Sequence, residues 1–206
     1  METFQHFLTI LIPLIIIMDP PGNLLFFLLF TEQNTLSERR KIAAIASFAA
    51  CLILFFFGLT GDFVLHFFNI GLPAFQIAGG FIFFIYALQM LRLIPSNIRA
   101  TQQEEKEGIE KHNVALVPLA TPLIAGPGAI TAVLVWQQTP ESSVSIPLLL
   151  LAIILTCFIV YIVFYFGEWI RKVLGVGGLQ VVTRLLGLLL AVIAVQFMVS
   201  GFQQLR

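Results

Sequence analysis

MDPPGN (Met18–Asn23) interrupts an apolar run that otherwise reads as a membrane-spanning helix, and its reading decides the fold. Proline has no N–H and clashes with the preceding turn. Glycine permits backbone angles that other residues avoid. Pro20, Pro21 and Gly22 therefore predict two half-helices in place of one continuous span. N–H and C=O groups freed by such a break cost several kcal/mol each if they face lipid. They must line a polar cavity or be capped by protein. The carboxylate of Asp19 and the amide of Asn23 stand at that point.

The rest of the chain is membrane-like. Of its 206 residues, 59% are hydrophobic and 11% charged, against about a quarter charged in a soluble domain. A spanning helix needs about 20 mostly apolar residues. Six segments qualify: Phe4–Phe30, Ile42–Phe68, Leu72–Ile94, Val114–Gln138, Ile146–Ile170 and Leu179–Gln203. METFQHFLTI has no basic residue ahead of the first run, unlike a secretory signal peptide, so that run is read as a retained helix. Zero net charge gives no reason to expect a nucleic-acid partner. Cys51 and Cys157 sit in apolar runs and make neither a disulfide framework nor a zinc pattern. No metal or cofactor is expected. Enzyme motifs such as GxSxG, HExxH and a phosphate loop are absent from the sequence, which argues against an enzyme.

Basic residues follow spans one (Arg39, Arg40, Lys41), three (Arg92, Arg99, Lys106, Lys111) and five (Arg171, Lys172). Positive charge stays on the cytoplasmic side. The expectation is a multi-pass inner-membrane protein with both termini outside and a cytoplasmic polar linker at residues 96–113. Its charged TQQEEKEGIEK stretch reads as a solvated connector.

Residues 1–95 and 114–206 then each hold three spans, and they match each other. A shift of 106 places Pro21-Gly22 on Pro127-Gly128, Cys51 on Cys157 and Gly61-Asp62 on Gly167-Glu168. A shift of 107 then places Gly80 on Gly187, Ala87 on Ala194 and Gln89 on Gln196. A unit of three spans re-enters the membrane from the opposite side. The expected fold is all-α: six transmembrane helices as two inverted three-helix repeats, with helices 1 and 4 broken near the midplane. In many secondary transporters paired breaks of this kind mark the substrate site.

The second break is IAGPGAI, at Gly126, Pro127 and Gly128. New half-helices starting at Gly22-Asn23 and Gly128-Ala129 would aim N–H groups and positive dipole ends at an anion. Asp19 could hold an ammonium group or a proton. A small zwitterion meets both demands. Ala125 stands where the first repeat has Asp19, so the charged contact comes from repeat one. The candidate substrate-binding residues are Asp19, Pro20, Pro21, Gly22, Asn23, Thr121, Gly126, Pro127, Gly128 and Thr131. The hydroxyls of Thr121 and Thr131 could satisfy freed carbonyls.

MDPPGN, PLATPLIAGPGAI (Pro118–Ile130) and six spans about one polar linker resemble the MarC family of bacterial and archaeal inner-membrane proteins. The resemblance covers essentially the whole chain. The family includes SnatA-type transporters of small neutral amino acids such as glycine and alanine. The resemblance implies secondary transport on a fold of two inverted repeats. Joined to the residues, it gives a transporter of small neutral amino acids working by alternating access, with a proton as coupling ion and Asp19 its carrier. Two rivals stay open: a passive channel for a small polar solute, and a structural membrane protein that transports nothing.

The remaining polar residues have plainer expectations. Asp62 and Glu168 read as interfacial charges, with Arg171 or Lys172 at helical spacing from Glu168. Gln89 and Gln196 would bond across helices, with Gln76 nearer the centre. Arg184 would snorkel to the interface. His6 and His112 lie at span starts. Gly58-Leu59-Thr60-Gly61 is a candidate hinge in span two.

Overall fold

The structure, a computed structural model, describes residues 2–67, 71–94, 115–138 and 146–205. All secondary structure among the described residues is helical. The first predicted span is two helices, α1 (Glu2–Met18) and α2 (Pro20–Phe30). Then come α3 (Leu36–Phe67) and α4 (Leu72–Met90). The fourth span is also divided. A wide, π-like segment α5 (Ala115–Ile124) has extended backbone at Val117 and Thr121, and is followed by α6 (Pro127–Gln138). The chain closes with α7 (Ile146–Tyr165) and α8 (Gly167–Gln204).

Local chemistry sets several boundaries. Thr35 and Glu38 form a capping box that starts α3: Thr35 N donates to Glu38 Oε2 (2.8 Å), and Glu38 N faces Thr35 Oγ1 (3.4 Å). The helix thus begins at Leu36, six residues before the apolar run, because polar end turns are stable in water. After Met90, Arg92 takes a left-handed backbone (φ 59) that ends α4. Gly175 (φ 65, ψ 174) breaks α8 and sets Gly167–Leu174 apart from the long helix beyond it. The last span therefore carries an amphipathic forerunner that apolar counting from Leu179 did not anticipate. Through Gly58–Gly61, α3 runs unbroken.

Among the described residues, five stretches are long and apolar enough to cross a bilayer: Phe4–Phe30, Leu36–Gly61, Leu72–Met90, Ile146–Tyr165 and Gly167–Gln204. Neither α5 nor α6 is long enough alone. Along the seam of α3 and α7 small residues lie inside and large aromatic ones outside. Ala43, Ala46, Ala50 and Ala152 are fully buried where α3 packs along α7, while Phe48, Phe56 and Phe63 of α3 are exposed. This is the membrane pattern, in which close packing of small residues, not burial of large ones, joins helices.

The contacts between the two halves are reciprocal. A Cβ on Gly80 would meet the Ala194 carbonyl, and one on Gly187 the Ala87 carbonyl. Gly61 lies against Leu134, and Gly167 against Leu28. Gly58 lies against Val133, and Phe164 stacks on Phe27 with centroids 4.5 Å apart. Each second pair holds the residues that the sequence shift superposes on the first. Cys51 and Cys157, which the shift superposes on each other, lie within hydrogen-bonding reach as free thiols.

Candidate functional site

The break in the first span is made by Asp19 itself. Its backbone is left-handed (φ 40, ψ 65), and its side chain turns back to cap α2, where Gly22 N donates to Asp19 Oδ1 (3.1 Å). Asn23 N donates to the Asp19 carbonyl (2.9 Å). Pro20 and Pro21 supply no N–H. The first turn of α2 is therefore satisfied from within, and its dipole end is occupied by the carboxylate of Asp19. This corrects the expectation of free N–H groups awaiting an anion there. The cause is the short Asx side chain, which reaches its own helix start when its backbone adopts the left-handed region. Gly22 is required beside it: a Cβ there would run into the Asp19 carboxylate.

Asn23 joins the two breaks. Its Nδ2 donates to the Met18 carbonyl at the end of α1 (2.8 Å) and to the Leu123 carbonyl at the end of α5 (3.1 Å). Only 9% of Asn23 is exposed, so both bonds are made away from bulk water. One side-chain amide thus caps freed acceptors from both interrupted segments. The second break has its own device. Ala125 N donates to the Ala120 carbonyl across a wide turn (2.9 Å), and α6 restarts at Pro127. The Tyr86 hydroxyl of α4 lies within hydrogen-bonding reach of the Gly128 backbone.

A cavity of about 710 Å³ opens beside the first break, within the range of small-molecule sites, about 300–1,000 Å³. Asp19, Gly22 and Asn23 line it, facing Gln89 of α4 and Gln180 and Thr183 of α8. Thr183 Oγ1 stands 3.4 Å from Asp19 Oδ1, long for an O–H···O bond. The cavity runs to the exposed Arg92 and to Leu93 past the end of α4. Its wall holds one carboxylate, Asp19, and one guanidinium, Arg92. On the opposite side of the breaks the helices are packed together. Gly79 abuts the buried Thr131, Gly61 abuts Gln137, and Phe197 meets both Phe83 and Trp136 (5.3 and 5.9 Å between centroids).

Of the ten residues expected at the site, Asp19, Gly22 and Asn23 line the cavity, and Pro20 and Pro21 start the helix that carries them. Gly126 and Gly128 are buried at the second break, whereas Pro127 and Thr121 are exposed. Thr121 is extended (φ −136, ψ 125) and Thr131 faces Gly79, so neither hydroxyl points into this cavity. Sequence reasoning missed Tyr86, Arg92, Gln180 and Thr183. The signal for the last two was a polar pair one turn apart, i and i+3, at the start of the last apolar span. Gln89 is on the cavity wall. Gln196 meets Ser200 of its own helix at 3.5 Å, not a residue of another helix. Arg184 is exposed, and it is Thr183 that faces Asp19.

Two further expectations are settled elsewhere in the molecule. Glu168 pairs with Arg39 of α3, not with Arg171 or Lys172, because Arg39 is already oriented by the carbonyls of Thr31 (2.8 Å) and Glu32 (2.9 Å). His6 is exposed. The Asp62 side chain, the linker at 96–113 and His112 lie outside the described residues.

Compared with known proteins, residues 4–205 match the family described as "MarC family integral membrane protein". The chain belongs to the MarC family. It is 36% identical over 202 residues to a UPF0056 membrane protein of Aquifex aeolicus (97% of this chain, 93% of the other). A UPF0056 membrane protein of Methanocaldococcus jannaschii is 35% identical over 199 residues (97% of each chain). The Escherichia coli K12 protein YhcE, also a UPF0056 membrane protein, is 30% identical over 200 residues (97% and 93%). No solved structure matches. As a member of the MarC family, with several helices able to span a bilayer, the chain is an integral multi-pass membrane protein.

Proposed function

We propose that this MarC-family protein is a secondary transporter of small neutral amino acids, glycine, alanine or serine in kind, working by alternating access between two inverted three-helix repeats. One observation carries the reading. Asn23 ties both interruptions together beside Asp19, in the wall of a cavity with one acidic and one basic side chain. Unwound helices are tolerated at membrane depth where they line such a cavity. A zwitterion would place its ammonium group on Asp19. Its carboxylate would be met by the amides of Gln89 and Gln180 or by Arg92, not by the N-terminus of α2, which Asp19 has already filled. Asp19 is then also the coupling group, exchanging a proton as substrate leaves. No step calls for bond-breaking chemistry, so the protein is proposed to be a carrier and not an enzyme.

The reciprocal contacts support the inverted repeat, and the basic residues support an inner-membrane orientation with the termini outside and the 96–113 linker in the cytoplasm. In that frame the cavity opens toward the cytoplasm and the outer side is packed shut. Opening the outer side would exchange the roles of the repeats. The repeat shift carries Thr183 onto Gln76, and Gln76, only 4% exposed, has a side-chain oxygen without a hydrogen-bond partner among the described residues. An unmet buried acceptor costs about 1–3 kcal/mol. Gln76→Leu should therefore stabilise the packed outer side, raising the unfolding temperature while slowing transport. A fall in both would remove Gln76 from the outer route.

The test of function is uptake of labelled alanine and glycine into liposomes holding the purified protein. Saturable uptake driven by a pH gradient and competed by serine is expected. Saturable uptake that ignores the pH gradient would leave the carrier and remove the proton. Non-saturating flux would replace the carrier with a channel, and no flux of any small amino acid would end the reading.

A further inference from the structure

A second cavity, of about 230 Å³, lies where the end of α2, the start of α3, the end of α7 and the start of α8 gather. Four helix ends at one level place it at the membrane–water boundary. Its cations differ in availability. Arg39 is committed to Glu168 and to two carbonyls. The Arg40 guanidinium stands 4.3 Å from the centroid of the Tyr165 ring, held by the ring face and, among the described residues, by no carboxylate. Lys172 also lines the cavity and has no ion pair among the described residues. The site thus offers two cations facing one cleft, with its only acid, Glu168, already neutralised.

The rim is apolar and open. Leu36 is 57% and Trp169 65% exposed, and Phe166 is exposed beside them. The segment Gly167–Leu174, set apart by the left-handed Gly175, displays Trp169 and Val173 one turn from each other with Arg171 and Lys172 between. Aromatic and basic residues in this arrangement lie in the head-group layer.

We propose that this cleft binds the phosphate of an anionic phospholipid, held between Arg40 and Lys172, with the acyl chains passing over Leu36 and Trp169. A cavity of about 230 Å³ has room for a phosphate ester. Its polar and apolar parts stand in the order that a lipid presents them. The cavity is also built on Phe27 and Leu28 of α2, the helix that begins at Asp19. Lipid occupancy therefore braces the far end of the broken helix. The proposal does not depend on what the protein transports.

The test uses the full chain in phosphatidylcholine nanodiscs with rising fractions of phosphatidylglycerol. Native mass spectrometry counts the retained lipid. Brominated lipids report contact by quenching Trp169 in a Trp136→Phe background. Each charge-assisted hydrogen bond to a seated phosphate contributes about tenfold. Arg40→Gln with Lys172→Gln should therefore weaken phosphatidylglycerol retention at least tenfold. Lys41→Gln with Arg171→Gln removes the same charge outside the cleft and should leave retention within twofold. Brominated phosphatidylglycerol should quench Trp169 at lower mole fraction than brominated phosphatidylcholine, and 10-fold excess inorganic phosphate should not reverse it. Equal loss in both double variants would mean bulk charge only and overturn the site. Equal quenching by the two lipids would overturn it too, and displacement by inorganic phosphate would overturn the lipid as its occupant.

Discussion

The two interrupted spans share a backbone plan and differ in their side chains. Both stop at a Pro-Gly pair and restart as a short helix, α2 at Pro20 and α6 at Pro127. In the first, the stop is a charged residue in left-handed conformation whose carboxylate caps its own helix, and Asn23 reaches across to the second. In the second, Ala125 and Gly126 carry no polar side chain, and a wide turn with the Tyr86 hydroxyl nearby does the work. A broken backbone has a local cause, proline and glycine, and recurs here without the same side chains. A charge need be supplied only once when the two breaks meet. The polar chemistry of this molecule is accordingly concentrated at Asp19 and Asn23 and on the faces of α4 and α8 turned toward them.

That comparison can be broken in four places, taken from the largest effect down. Asp19→Ala removes the charge and the α2 cap together. We expect about 100-fold weaker binding of alanine or more, since losing a buried charged partner costs about 2–5 kcal/mol. Calorimetry on the folded variant checks this, and wild-type affinity would take Asp19 out of the site. Asn23→Ala leaves the Met18 and Leu123 carbonyls without their donor. A loss of about 2–3 kcal/mol of stability is expected, seen as a lowered unfolding temperature. An unchanged transition would mean that the breaks hold together without the bridge.

The next pair places one substitution at equivalent positions. Gly22→Ala forces the Asp19 carboxylate aside. Affinity for alanine should fall by about tenfold, the equivalent of 1.4 kcal/mol, with the helix itself intact by circular dichroism. In Gly128→Ala the nearest neighbours of the new methyl are Ile17 Cγ2 at 3.3 Å, which need give by only a few tenths of an ångström, and the Tyr86 ring at 3.6 Å. The gain in helix propensity, about 0.5–1 kcal/mol, offsets that contact, so stability and affinity should stay near wild type. Equal losses at Gly22 and Gly128 would show that the second break contributes as much side-chain-specific geometry as the first.

Much of the frame was legible in advance. Proline and glycine act through their own backbone, so both breaks could be placed from MDPPGN and IAGPGAI. Apolar run length located α4 and α7 to within a few residues. Boundaries set by capping or by a left-handed residue were less legible, as the early start of α3 and the division of α8 at Gly175 illustrate. The matching register of the two halves did not say which residues would meet, neither Gly80 with Ala194 and Gly187 with Ala87 nor Cys51 with Cys157. Ion pairing was least legible: Glu168 lies next to Arg171 and Lys172 in sequence and pairs with Arg39, since side-chain partners follow depth and direction in the bundle.

The amino-acid sequence alone determined that this chain enters a membrane, that two of its apolar runs are interrupted and where, and that the carboxylate lies at only one interruption. These follow from solubility and backbone sterics, which act residue by residue. Only the tertiary structure decided that Asp19 would satisfy its own helix, that Asn23 would cap the carbonyls of both breaks, and that Thr183, Gln180 and Arg92 would complete the cavity. Those outcomes depend on which helix ends come together, and a hydrogen bond is short enough that a shift of one turn would unmake any of them.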